Sequence, residues 1–184
     1  MIPLPFHKLK RDSIFATLYG MIVAQARSPS FYVGYGVPDT VAGRLDMIVL
    51  HLVIFLQCLK HGSSAAQSLG QEVFDLFCRD MDDNFREMGV GDLAVPKEMR
   101  RVGEAFYGRA KAYEDALASD DAALVGALAR NIYGMPPHGA RRLAAYMREA
   151  ARQLAAQDHF ADGKLHYPDP DAVAAPKLEG NDHP

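Results

Sequence analysis

Few residues of this 184-residue chain stand where catalysis or metal binding would need them. The acidic run RDMDDN, Arg79–Asn84, opens like a calcium loop. Phe85 then occupies the place of the turn glycine, and Gly91 that of the bidentate glutamate. The run therefore reads as the solvated face of a helix. There is no Glu-x-x-His pair for a di-iron bundle, and no two histidines stand four apart for a zincin site. Cys58 and Cys78 lie in apolar stretches with no histidine at activating spacing, and read as reduced core thiols. A Gly-x-Ser-x-Gly elbow is missing, and Gly89-Val90-Gly91-Asp92 lacks the Lys-Ser/Thr of a phosphate loop. The expectation is a protein that is not an enzyme and holds no metal or cofactor.

What remains is chemistry of recognition. His51 is a polar residue in the middle of the apolar run Met47–Leu59. It is either a core imidazole bonded to a neighbouring helix, fixing register, or a ligand or proton carrier. Arg27, Arg44, Arg86, Arg109 and Arg130 each stand near a predicted helix end or a glycine, with Tyr19, Tyr32, Tyr35, Tyr107, Tyr113 and Tyr133 close in sequence. Arg and Tyr supply binding energy at interfaces. Two readings are open for these arginines: partner contacts, or internal pairs with Asp39, Asp46, Glu87, Asp92 and Glu104 that lock loops.

Helical periodicity recurs from end to end and strand signals are almost absent, so the elements that position these residues are helices. A first helix is predicted from Asp12 to Arg27, with Ile14, Leu18, Met21, Ile22 and Gln25 on one face and Pro29 forcing the exit. The loop Ser28–Pro38 follows. Asp39 or Thr40 opens a second helix to Lys60, with Gly62 as its stop. Ser63 or Ser64 caps a third, to Met88. Gly89–Val95 breaks the pattern, and Pro96 fits the first turn of a fourth helix ending near Ala118. Ser119 or Asp120 starts a fifth, ending at Gly134–Pro137, and a sixth runs from Gly139 to Gln157. The fold class is all-α: one compact domain of about six helices over residues 1–157. Asp158–Pro184, with four prolines and few large apolar residues, is expected to be a flexible tail.

Hydrophobic residues make up 49% and charged residues 23%, as in an ordinary globular protein. The formal net charge of −3 argues against a protein devoted to nucleic-acid binding. Asp158–Pro184 holds six acids and two bases, so the folded body is near neutral and ribosome contact is less firmly excluded than the total suggests. The apolar run is thirteen residues, short of the ~20 of a membrane span. Met1–Phe6 has no secretory pattern, and the expected compartment is the reducing cytoplasm.

Three blocks go beyond helix statistics: VAQARSPSFY at Val23–Tyr32, VPDTVAGRLDMIVLH at Val37–His51, and RDMDDNFREMGVGDLAVPKEMRRVGEAFYGRAKAYEDAL at Arg79–Leu117. Together they strongly resemble the ubiquinol–cytochrome c chaperone family, over roughly Ile14 to Tyr133. Arg86–Asp92 and Phe106-Tyr107-Gly108-Arg109 are the most specific parts. The resemblance implies a non-enzymatic chaperone that binds newly made cytochrome b during assembly of the respiratory cytochrome bc complex (complex III). It further implies a small helical partner protein, a link to the ribosome, no DNA, and membrane contact only through the client. With so little chain before Asp12, the sequence looks like the compact bacterial form, located in the cytoplasm or at the cytoplasmic face of the inner membrane.

Such a protein needs a groove with apolar and aromatic walls and charges at its rim. The expected mouth is the Phe31–Val37 loop together with the Gly89–Val95 break. The candidate contact residues are Arg27, Tyr32, Asp39, Arg44, His51, Arg86, Glu87, Gly89, Gly91, Asp92, Phe106, Tyr107, Arg109, Tyr113 and Arg130. The competing function is a ribosome- or RNA-associated adaptor coupling cytochrome b synthesis to assembly, suggested by Arg100-Arg101, Arg141-Arg142, Arg148 and Arg152.

Overall fold

The computed structural model of the chain describes residues 5–134, 139–158 and 160–174, and among these there are helices and loops but no strand. Helix α1 spans Pro5–Ala26, beginning before the predicted Asp12, and a short α2, Pro29–Val33, interrupts the Ser28–Pro38 loop. Helix α3 spans Val41–Lys60, α4 Ser64–Glu87, α5 Val95–Leu117, α6 Asp121–Leu128 and α7 Ala140–Ala155. Alpha-helix α6 widens into a π-helical turn at Ala129–Tyr133, which Gly134 closes with a positive φ of 63°.

Local chemistry sets the starts. The Thr40 hydroxyl accepts from the Gly43 N–H (3.1 Å), the Ser63 hydroxyl from Ala66 (3.2 Å), and the Asp120 carboxylate from Ala123 (2.8 Å). Pro29 and Pro96 stand in the first turns of α2 and α5, where a missing N–H costs nothing.

Helix α3 is the centre of the molecule. It packs against α1, α4, α5 and α7, and Met47 through Phe55 are buried without interruption. Burial on every side accounts for its near-continuous apolar sequence. At 20 residues it is long and apolar enough to cross a bilayer, more than the thirteen-residue run suggests, but 56% of its most apolar window lies inside the protein. Helices α4 and α5 form an antiparallel hairpin joined through Gly89–Ala94, with Phe74 and Phe77 of α4 against Phe106 of α5.

Within the expected flexible tail, residues 160–174 pack on the helical body. Phe160 and Leu165 are buried, and the Phe160 ring meets Phe55 edge-on at 5.4 Å. The Tyr167 hydroxyl donates to the His51 carbonyl (2.8 Å) and the Tyr35 hydroxyl to that of Pro170 (2.6 Å). A few buried side chains and side-chain donors from the body anchor a segment whose composition alone would leave it loose. Residues 1–4, 135–138, 159 and 175–184 lie outside the described residues, and with them the predicted Pro136–Pro137 stop and the end of the tail.

Candidate functional site

An open groove of about 360 Å³ runs between the C-terminal half of α3 and the α4–α5 hairpin. Val53, Leu56 and Leu59 line it from α3, Phe74 from α4, and Phe106, Tyr107 and Ala110 from α5. Gly70 lets the helices approach here, since a Cβ would stand 3.3 Å from the Leu56 methyl and 3.4 Å from that of Leu59. The Phe74 and Phe106 rings lie 4.8 Å apart and lead outward to Tyr107, which is 65% exposed. A Lys60–Glu114 ion pair stands at one end, and Gln67 and Gln71 at the edge. The Gln57 amide nitrogen is buried in the wall with no hydrogen-bond partner. The groove thus offers an apolar aromatic floor, a surface for an apolar helix or extended segment rather than for a reaction.

The predicted contact residues divide. Phe106 and Tyr107 belong to this groove. Arg86, Glu87, Gly89, Gly91 and Asp92 form the exposed hairpin tip, where Arg86 bridges Asp82 (2.7 Å) and Asp92 (2.5 Å) and Gly89 takes a positive φ of 82°. The tip also exposes Met88 and Leu93. Asp39, Arg44 and Tyr32 gather at the start of α3: Arg44 pairs with Asp39 (2.7 Å), with its guanidinium 5.9 Å from the Tyr32 ring. Arg27 and Arg130 are exposed at helix ends. Three candidates are corrected: His51 and Tyr113 are fully buried and Arg109 is mostly buried, ion-paired to Asp46 at 2.7 Å, so they meet their own chain. The expected mouth is corrected too. Phe31 and Tyr35 are buried in the core instead of lining an opening, because α2 and the positive φ of Gly36 turn that loop inward. Of the five arginines, Arg44, Arg86 and Arg109 pair within the chain, with Asp39, Asp92 and Asp46.

Sequence reasoning did not pick out Val53, Leu56, Gln57, Gln71, Phe74 and Glu114. The signal available was Gln57, an uncharged polar residue inside an apolar run.

His51 anchors a directed polar chain in the core. Its Nδ1 lies 2.7 Å from the Met47 carbonyl, which only accepts, so Nδ1 carries the proton. Nε2 then accepts from the Tyr146 hydroxyl (2.9 Å), which itself accepts from the Gln25 amide (3.0 Å). Burial pushes the His51 pKa down to about 4, the Met47 carbonyl opposing, and keeps the ring neutral. Unfolding exposes an ordinary imidazole, which binds the proton more readily. The stability His51 contributes is therefore complete above the ordinary imidazole pKa and lost as pH falls from there toward about 4. Denaturant unfolding of the natural chain and of His51→Gln across that range is expected to give curves that diverge, the natural chain losing more on acidification. Parallel curves would refute the neutral assignment.

A family model described as Ubiquinol-cytochrome C chaperone matches residues 34–166, reaching past the predicted domain end at 157 into the C-terminal segment. Ubiquinol-cytochrome-c reductase complex assembly factor 1 of Xenopus laevis is 23% identical over 152 residues, covering 83% of this chain and 76% of that protein. The Homo sapiens protein of the same description is 22% identical, and there the matched region spans about half of the relative, 51%. The crystal structure of the Cbp3 homolog from Brucella abortus superposes with a TM-score of 0.83 at 39% identity, covering 91% of this chain and 96% of that one.

Proposed function

The chain belongs to the ubiquinol-cytochrome C chaperone family, and from that premise we propose that it serves assembly of ubiquinol–cytochrome c reductase by holding newly made cytochrome b. The observation that carries this reading is the open groove between α3, α4 and α5. Its aromatic wall from Phe74 through Phe106 to the exposed Tyr107 suits an apolar helical segment that has not yet found its neighbours in the membrane.

The adaptor reading has less support. Arg100 pairs with Glu104 (3.3 Å), Arg101 with Glu98 (2.7 Å), Arg148 with Asp121 (2.5 Å) and Arg152 with Glu149 (2.6 Å). Four of the six arginines thus carry a carboxylate partner, and Arg142 donates to the Gly34 carbonyl (3.1 Å), which leaves less free charge for phosphates.

Tyr107→Ser is expected to reduce the cytochrome b recovered with the tagged protein by about tenfold, the loss of a central aromatic anchor. The unfolding midpoint should stay within about 2 °C, because the side chain is largely in water. A strain carrying only this variant is expected to accumulate less assembled reductase, with other respiratory complexes unchanged. Undiminished recovery would remove the groove from the proposal. Undiminished reductase in a strain lacking the protein altogether would remove the function.

A further inference from the structure

Residues 163–174 cross the α1–α3–α7 face without regular structure, and the body holds them as a receptor holds a peptide. Three carbonyls two residues apart are each met by a side-chain donor. The Gln157 amide donates to His166 O (2.6 Å), Gln25 to Pro168 O (3.0 Å) and the Tyr35 hydroxyl to Pro170 O (2.6 Å). Gln157 also accepts from the His166 N–H (3.0 Å), so one amide clamps both polar groups of that residue. Between the first two carbonyls, Tyr167 inserts its ring edge-on against His51 at 5.0 Å and donates to the His51 carbonyl. Ser30 donates to Asp171 at the far end (2.8 Å). Pro168 and Pro170 are buried, while Lys164, His166, Asp169 and Asp171 point to water. Reading alternate carbonyls of a proline-stiffened chain around one aromatic anchor is a mode of peptide recognition, since the prolines have already fixed the backbone the site requires.

The segment is also separable from the core beneath it. Helices α1 and α7 each pack directly on α3. An open cleft of about 390 Å³ lies between the segment and α7, bounded by Ala145, Glu149, Gln153, Pro168 and Val173.

We propose that the face formed by Gln25, Tyr35, His51, Tyr146 and Gln157 is a binding site for an extended peptide carrying tyrosine followed by proline. Residues 164–171 are its resident occupant, and a partner protein's segment of the same chemistry displaces them. The site lies apart from the α3–α4–α5 groove and does not depend on what that groove holds.

The probe is a fluorescent peptide with the sequence of residues 164–174, titrated into the full chain. The tethered segment competes at a high effective concentration, so binding to the natural chain is expected to be weak. Tyr167→Ala in the chain removes the resident anchor and is expected to tighten peptide binding by about tenfold or more. Adding Tyr35→Phe to that variant, or making the Tyr167→Ala change in the peptide, should reverse the gain. A folded Tyr167→Ala chain that takes up no peptide overturns the proposal. Should that variant fail to fold, a protease site introduced at the exposed Ala161–Asp162 is cut in the folded chain. The cut segment is then expected to stay bound and to exchange with excess peptide. Loss of the helical circular dichroism on cutting, or a segment that never exchanges, also overturns it.

Discussion

Replacing Phe31 by Ala is expected to lower the unfolding free energy by about 3–5 kcal/mol, the range for emptying a large aromatic site in a core. In a chain of this size that corresponds to a fall of roughly 6–20 °C in the thermal midpoint. Phe31 is fully buried and stands at the meeting of three rings, with centroids 4.8 Å from Tyr146, 5.3 Å from Tyr35 and 5.3 Å from His51. Its removal leaves a void beside the polar chain through His51 and Tyr146, which loses both contact and exclusion of water. Val33, two residues on and 88% exposed, is the control: Val33→Ala is expected to change stability by less than about 0.5 kcal/mol. Thermal and urea unfolding of the two variants decide the matter. A Phe31→Ala midpoint close to that of Val33→Ala would mean that the loop does not carry the core.

The misplacement of Phe31 shows what the sequence hides. Aromatics in a glycine-containing loop ordinarily suggest a surface opening, because loops run over the surface. Here a turn of helix and the conformation of Gly36 fold the loop back, and neither is encoded by apolar periodicity. Helix starts were legible because caps are local: Thr40, Ser63 and Asp120 act on donors three residues away. The centrality of α3 was legible because burial on all sides demands an unbroken apolar run. The groove was not. Phe74 belongs to the same apolar stripe as the buried Val73 and Phe77, and only the divergence of the hairpin from α3 decides which ring faces a core and which an opening. The C-terminal segment was hidden for a different reason. Its partners Gln25, Ser30 and Tyr35 lie 143, 141 and 135 residues away along the chain, and side-chain hydrogen bonds at that separation leave no trace in composition.

Arg109 and Arg86 looked alike in the sequence and are expected to behave differently when replaced. The Arg109–Asp46 pair joins α5 to α3 with side chains only 23% and 12% exposed, and Arg109→Ala leaves a buried carboxylate without its counter-charge. Breaking a buried pair from one side typically costs about 3–5 kcal/mol, and residual solvent access places this one at about 2–4 kcal/mol. Arg86→Ala removes pairs that water already screens, and is expected to change stability by less than about 1 kcal/mol. The pH dependence separates electrostatics from lost packing. Burial raises the Asp46 pKa above its ordinary 3.8, and Arg109 holds it down against that rise. A carboxyl raised in the folded state contributes stability that is complete below the unfolded value and lost as pH climbs through the folded one. Without Arg109, Asp46 rises further. The stability deficit of Arg109→Ala should therefore be small in acid and grow toward neutral pH, as urea unfolding at about pH 4 and about pH 7 would register. Introducing Asp46→Asn into the Arg109→Ala chain removes the titrating group and should flatten that growth. A deficit of constant size at both pH values would assign the role of Arg109 to the packing of its aliphatic stem.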